Sequence, residues 1–250
     1  PLPAKTLKDR TMDIAGNCTL YSIFAAYTVQ QPKREWLTYE RSDGQVFRWT
    51  HAEFLDSVHR AANLLRTLDI GPSDVFNLHL SNHPAYPQLI LAASYLGATA
   101  MPSNPVSTPD ELGYLVEHSG SKVIFTEADC LDVVSKIAAE LPVHRILLCQ
   151  TDPAVPQEHP VYETELSHQP TEPPPAEGAP EHVVQLLYTS GTTARPKGIM
   201  FTNANFIYGA EVFRASTGLR QDDRHLIVLP LFHAGAQCHA LWPAMIAGAS

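Results

Sequence analysis

The chain has 250 residues, 44% of them apolar, with 17 Lys and Arg against 26 Asp and Glu for a formal net charge of -9. That length holds one large domain or two small ones around a real core, and the absence of a basic stripe argues against nucleic acid or an anionic membrane surface as partner. No run reaches 18 apolar residues, so no transmembrane segment is expected, and four widely spaced cysteines (Cys18, Cys130, Cys149, Cys238) read as buried thiols in a reducing, cytoplasmic setting.

In chain order, Trp36 to Tyr39 and Val46 to Trp49 read as short strands joined through Asp43-Gly44, a hairpin pair. Thr50 with Glu53 three positions on starts a helix whose apolar face is Phe54, Val58, Ala61, Ala62, Leu65 and Leu68, and Gly71-Pro72 closes it. Val75 to Leu80 is a strand, about Tyr86 to Tyr95 a helix ended by Gly97, and Ala98 to Met101 a short strand. Ser107 or Thr108 caps a helix running to His118, with Pro109 in its first turn. Lys122 to Phe125 is strand-like, Leu131 to Leu141 helix-like and Arg145 to Cys149 strand-like, the alternation of a parallel sheet with covering helices.

Residues 151–182 break that alternation. They carry eight prolines and seven acidic residues with no Lys or Arg, and read as a long surface connection without regular helix or central strand. We read it as a boundary between an N-terminal α/β subdomain (1–150) and the start of a second one (183–250); an excursion within one domain is the alternative. The second part opens with strand Val183 to Leu187. A helix from about Asn203 to Ala215 follows, capped by Asn203 or Thr202. His225 to Leu229 is a further strand ended by Pro230, and a helix runs through roughly Ile246. The chain then stops at Gly248-Ala249-Ser250, where another strand is expected, so it reads as part of a larger protein.

The chemistry is concentrated in Tyr188-Thr189-Ser190-Gly191-Thr192-Thr193-Ala194-Arg195-Pro196-Lys197-Gly198. Thr189, Ser190, Thr192 and Thr193, with backbone N–H groups near Gly191, are donors suited to a polyphosphate. Glycine permits close backbone approach, and Lys197 adds a mobile positive charge. The strand-then-loop setting is where open α/β sheets bind ligands. Lys197 precedes Gly198, so this is not a Walker A loop. Lys197 either contacts a phosphate or anchors the loop to a carboxylate, and Arg195 contacts a phosphate or is solvated. His233, beside Gly235, either faces the same cleft or is a structural residue at a helix start. Tyr208, Gln237 and Trp242 are candidates for an acyl pocket or for ordinary packing. His233, Cys238 and His239 are poorly aligned on a helix for zinc, and no metal ligand is assigned.

This segment, with Leu229-Pro230-Leu231-Phe232-His233-Ala234-Gly235 downstream and Tyr95-Leu96-Gly97-Ala98 and Asn104-Pro105 upstream, resembles the signatures of the adenylate-forming enzymes. These are acyl- and aryl-CoA ligases, luciferases and peptide-synthetase adenylation domains. The flavour is nearest fatty-acyl or carnitine/crotonobetaine-type CoA ligases. The resemblance covers nearly the whole chain and implies an α/β fold of mixed, largely parallel sheets, the N-terminal portion of an acyl-CoA-synthetase-like large domain. It implies an acid-thiol ligase that activates a carboxylic acid with ATP and Mg²⁺ through an acyl-adenylate and transfers it to CoA. Thr192, Lys197 and His233 would be catalytic, and Thr189, Ser190, Gly191, Thr192, Thr193, Lys197 and Gly198 would bind the nucleotide. The remainder of the same chain is an implied partner, a homodimer is an open possibility, and the 250 residues alone are expected to be inactive. A peptide-synthetase adenylation domain, or a non-catalytic nucleotide-binding module, is the alternative. Two positions depart from the pattern: Ala194 stands where glycine is usual, and Asn203 where many relatives carry histidine.

Overall fold

A computed structural model describes residues 15–149, 159–189 and 195–250. The first described element is a helix absent from the sequence expectations, α1 (Leu20–Gln30). Leu20, Ile23, Phe24, Tyr27 and Thr28 are buried, and the helix has little polar contrast around its girth, so no clean amphipathic stripe marks it. Strands β1 (Glu35–Glu40) and β2 (Val46–Thr50) form the expected antiparallel hairpin. Gly44 takes φ +83° in its turn, a conformation glycine adopts without strain, and Asp43 Oδ1 accepts from Gln45 N–H at 2.9 Å.

Helix α2 (His51–Thr67) starts at the Thr50–Glu53 capping box. It leads into β3 (Val75–His79), α3 (Ala85–Leu96), β4 (Thr99–Pro102), α4 (Pro109–Ser119), β5 (Val123–Thr126), α5 (Leu131–Ala138) and β6 (Arg145–Leu148). Thr108, not Ser107, caps α4 in a box with Glu111. Gly97 ends α3 at φ +73°. The expected α5 loses its last turn: Glu140 and Leu141 bond back to Ile137 O in a turn outside the helix.

Two further elements were not expected. α6 (Tyr162–Ser167) lies inside the proline-rich connection, in its longest proline-free stretch, Val161 to Gln169. β7 (Val183–Thr189) is followed not by a long loop into a helix but by an antiparallel strand, β8 (Lys197–Thr202). Helix α7 (Asn203–Thr217) begins at a Thr202–Asn205 capping box. The strand expected at His225 to Leu229 is not in any ladder. Only its first N–H is bonded to backbone, to Ser250 O at 2.7 Å, and Leu226 and Val228 are exposed, so the segment lacks the neighbour a strand requires among the described residues. The final helix is composite: α8 (Ala234–Ala236), a π-helical turn over Gln237–Leu241, and α9 (Trp242–Ala247).

The main sheet has six strands in the order β6-β5-β3-β4-β7-β8. All pairs are parallel except β7–β8. Alternation along the strands separates two apolar layers. Phe76, Phe125 and Leu147 face α1, α2, α3, α7 and α9, whereas Ile124 and Ile146 face α4 and α5. β7 pairs with β4, so the strands before and after the 151–182 connection belong to one sheet. The later part of the connection is strapped over α2 and α3. Asn63 Nδ2 donates to Pro170 O and Glu172 O at 2.9 and 2.8 Å, and Tyr95 Oη to Pro174 O at 2.6 Å. Gly178 lies so close that a Cβ there would sit 1.9 Å from Ser94 O.

β3 lies at the point where chain order reverses, with β4 on one side and β5 on the other. The carboxyl ends of β3, β4, β5, β6 and β7 therefore open on one edge, the position where open α/β sheets bind ligands.

Candidate functional site

The glycine- and threonine-rich segment is the connection of the β7–β8 hairpin. Cross-strand pairing sets Tyr188 opposite Gly198 and Thr189 opposite Lys197, so Thr189 and Lys197 stand face to face at its mouth. Both are exposed. Ser190, Gly191, Thr192, Thr193 and Ala194 lie outside the described residues. Lys197 has no carboxylate partner among the described residues, so the anchoring alternative has no counterpart there. Gly198 is explained by packing. A Cβ there would meet Leu186 Cδ1 at 2.9 Å and Tyr188 Cζ at 3.4 Å.

One face of α4 grips both stems of the hairpin. Tyr114 Oη donates to Pro196 O at 3.1 Å, and its ring lies under the Arg195 guanidinium, 5.0 Å from the centroid. Arg195 is thus neither simply solvated nor committed to a ligand. His118 Nδ1 lies 2.7 Å from Tyr188 Oη, whose pKa burial pushes up to about 12, so the phenol keeps its proton at neutral pH. Neither Tyr114 nor His118 belongs to a recognisable motif, and periodicity marks them only as a helix face.

His233 is the N-cap of α8 and is exposed; its side chain makes no capping bond. It is joined to the hairpin through side-chain hydrogen bonds, those of Gln237 buried. Asn82, in the loop after β3, donates from Nδ2 to Leu229 O at 3.0 Å and accepts from Leu231 N–H at 2.7 Å. Gln237 donates to Leu231 O at 2.8 Å and accepts from Gln185 Nε2 at 2.5 Å and Trp242 Nε1 at 3.3 Å. Gln185 is in β7, four residues before Thr189, so one strand carries the stem and also fixes the helix that His233 begins. Gln237 and Trp242 are fully buried in this network, which favours packing over an acyl pocket, and Tyr208 is half exposed. Sequence reasoning missed Gln185, whose only signal is a glutamine inside an apolar strand.

Asn203, the departure from histidine, is buried and structural. Its Oδ1 accepts from Leu20 N–H at 3.1 Å and Ser94 Oγ at 2.7 Å, and its Nδ2 donates to Ala179 O at 3.0 Å. Two buried histidines lie near the carboxyl end of β3. Burial pushes His79 down to about 4 and His83 to about 3. His83 Nδ1 accepts from Ala85 N–H at 3.0 Å, which requires that nitrogen to be unprotonated. Among the described residues no three His, Cys, Asp or Glu side chains are grouped to hold a metal ion, and no helix is long and apolar enough to cross a membrane. A cleft of about 660 Å³ opens between β1, the loop after β3, residues 224–231 and α9, and none of the sequence-predicted site residues lines it.

Residues 24–250 match the family model described as AMP-binding enzyme. The chain is 31% identical over 244 residues to a crotonobetaine/carnitine–CoA ligase of Escherichia coli O139:H28, covering 96% of this chain and 47% of the relative. Its fold is similar to that of the anthranilate CoA ligase AuaEII solved with anthranoyl-AMP, with TM-score 0.83 and 21% identity over 98% of this chain and 46% of that one. It is similar also to the inhibitor-bound N-terminal domain of FACL13 from Mycobacterium tuberculosis, with TM-score 0.77 and 26% identity over 92% of this chain and 56% of that one. The chain spans about half the length of the curated relatives it matches.

Proposed function

Because the chain belongs to the AMP-binding enzyme family, we propose that it is the nucleotide-binding portion of an AMP-forming acyl-CoA ligase acting on a carboxylic acid. The observation that carries this reading is the pairing of Thr189 with Lys197 at the carboxyl end of a parallel sheet. There, hydroxyl and ammonium donors converge on one side of a strand-borne connection.

In this reading the carboxylate attacks the α-phosphorus of ATP, the bond to the bridging oxygen breaks, and pyrophosphate leaves with that electron pair. The thiolate of CoA then attacks the acyl carbonyl and AMP leaves. Negative charge gathers on the β- and γ-phosphates in the first step, so a polyphosphate cradle acts mainly by positioning and charge stabilisation. Thr189, Ser190, Thr192 and Thr193, with the Gly191 backbone, would supply neutral donors. Lys197 would supply the cation, and Gly198 would let the strands close behind it. His233 would orient the carboxylate electrostatically; no proton need move, since the nucleophile is already ionised. Mg²⁺ arrives with ATP and neutralises phosphate charge.

The relatives are about twice as long, so complete turnover is assigned to the whole polypeptide that carries this chain. The test has two parts. Mg·ATP titrated into the purified protein should bind, and Lys197→Ala should weaken that binding at least about tenfold, the loss expected for a charge-assisted contact. ATP–pyrophosphate exchange on the whole polypeptide should then be switched on by one class within a panel of crotonobetaine, carnitine, fatty and aryl acids. Exchange with no acid while Mg·ATP still binds would sink the ligase reading.

A further inference from the structure

We propose that Tyr114 and His118, on α4, are positioning residues for the nucleotide-binding hairpin, acting through the residues next to Thr189 and Lys197. The inference rests on the adenylation reading above but concerns residues that lie outside its motifs. An antiparallel hairpin at the edge of a sheet is held on one side only: β7 has β4 as its inner neighbour, and β8 has no outer partner among the described residues. Within β8, Lys197 to Met200 are exposed, so core burial contributes little to fixing its first half. Placement of the Thr189–Lys197 pair therefore needs a support outside the ladder, and α4 supplies two on one face, four residues apart.

The two supports take opposite stems. His118 Nδ1 is 2.7 Å from Tyr188 Oη, one residue before Thr189. Tyr114 Oη donates to Pro196 O, one residue before Lys197, at 3.1 Å. Proline has no N–H and cannot donate to the ladder, so the carbonyl of Pro196 is the available handle at that point of the stem. Arg195 stacked on the Tyr114 ring adds a second contact on the same stem. The aromatic side chains close ranks behind these bonds. His118 lies 5.3 Å from the Tyr114 ring and 5.7 Å from the Tyr188 ring.

α4 is in turn fixed to the sheet. Leu112, Leu115 and Val116 are buried against Ile124 and Met101, and the Thr108–Glu111 box pins its first turn. Its N-terminus follows directly from β4, the strand beside β7, so the support and the supported strand share one rigid frame. Polyphosphate recognition depends on donors held within a few tenths of an ångström, and a hinge at the stems would forfeit it.

The test uses Mg·ATP titration of the purified protein and ATP–pyrophosphate exchange on the whole polypeptide. Tyr114→Phe keeps the ring under Arg195 and removes the bond to Pro196 O; ATP affinity should fall about five-fold, the size of one neutral hydrogen bond. His118→Leu should do likewise, and His118→Asn, whose amide places a polar atom near the Nδ1 position, should restore most of the loss. In exchange, KM for ATP should rise while KM for the carboxylate stays put. Loss of folded protein would instead lower kcat with both KM values unchanged. Combining Tyr114→Phe with Lys197→Ala should give less than the product of the two single effects, because a displaced lysine no longer matters once it is gone. If Lys197→Ala weakens ATP and the α4 variants leave it unchanged, or if their effects multiply independently, the positioning role is wrong and the adenylation reading stands. If the unsubstituted protein binds no Mg·ATP, both fall.

Discussion

Asn203→Ala removes an amide that ties α7 to three other parts of the chain at once. Leu20 is the first residue of α1, so its N–H has no partner within the helix and depends on Asn203 Oδ1 at 3.1 Å. Asn203 Nδ2 satisfies Ala179 O at 3.0 Å, at the end of the strap over α3. Ser94 Oγ also loses its acceptor, but that hydroxyl still accepts from Tyr21 N–H at 3.1 Å and is free to turn its proton toward a helical carbonyl. One buried backbone group, Leu20 N–H, is then stranded at a cost of about 1–3 kcal/mol, whereas the half-buried Ala179 O keeps His182 N–H at 3.1 Å and loses one bond worth about 0.5–1.5 kcal/mol. The expected loss is about 2–4 kcal/mol, which in a chain of this size lowers Tm by roughly 4–16 °C. Urea unfolding followed by circular dichroism should show a lower midpoint with unchanged m. Asn203→His offers one acceptor and one donor and should lose about half as much. An Asn203→Ala protein within about 0.5 kcal/mol of the unsubstituted one, the scatter of ordinary surface changes, would refute the reasoning.

Two further outcomes follow from buried polar groups. His79 and His83 titrate near 6.5 when unfolded but are held down to about 4 and about 3 when folded, so the unfolded state binds two more protons between pH 6.5 and 4. Stability should therefore be full above pH 7 and fall as pH drops through that window, by up to about 2.7 kcal/mol per unit in its middle. His83→Gln should halve the proton uptake measured calorimetrically; an unchanged uptake would contradict the assignment. Gln237→Leu strands Gln185 Nε2, Trp242 Nε1 and Leu231 O and should cost about 2–5 kcal/mol in urea unfolding. Gln185 Oε1 already lacks a partner, so Gln185→Leu added to Gln237→Leu should destabilise no further, and an additive second loss would count against the network.

Where capping chemistry and periodicity agree, the fold is legible in the residues alone: Thr50 with Glu53 and Thr108 with Glu111 announce α2 and α4, and Gly97 ends α3. The elements that escaped share a physical cause. α1 carries Ala26 and Val29 on its exposed face as well as apolar residues on its buried one, which leaves no stripe to count. α6 is too short, between prolines, for any period to be visible. β8, Lys197–Thr202, follows glycine- and proline-bearing residues that argue for a loop, and its strand state depends on the register offered by β7, a tertiary effect. The opposite error at His225 to Leu229 has the same root, since an apolar run becomes a strand only beside another strand. At the candidate site, residue types singled out Thr189 and Lys197, but not that they face each other, nor that α4 stands behind them.

That arrangement explains why the distinctive residues fall where they do. A parallel strand delivers its carboxyl end to the ligand edge and must then be followed by a crossover, which carries the next residues away from that edge. β7 is followed by an antiparallel partner instead, so the chain turns back at the ligand edge and presents residues from both limbs there. The geometry requires small residues where the limbs crowd, met by Gly198 against Leu186 and Tyr188, and an external brace because an edge hairpin lacks a second neighbour. It also leaves the interior of β7 free to hold other parts of the site, and Gln185 does so by fixing Gln237 in the helix that follows His233. The hairpin stems and His233, separated by about forty residues in sequence, are thereby referred to one strand. A change in the packing of β7 is expected to disturb both together.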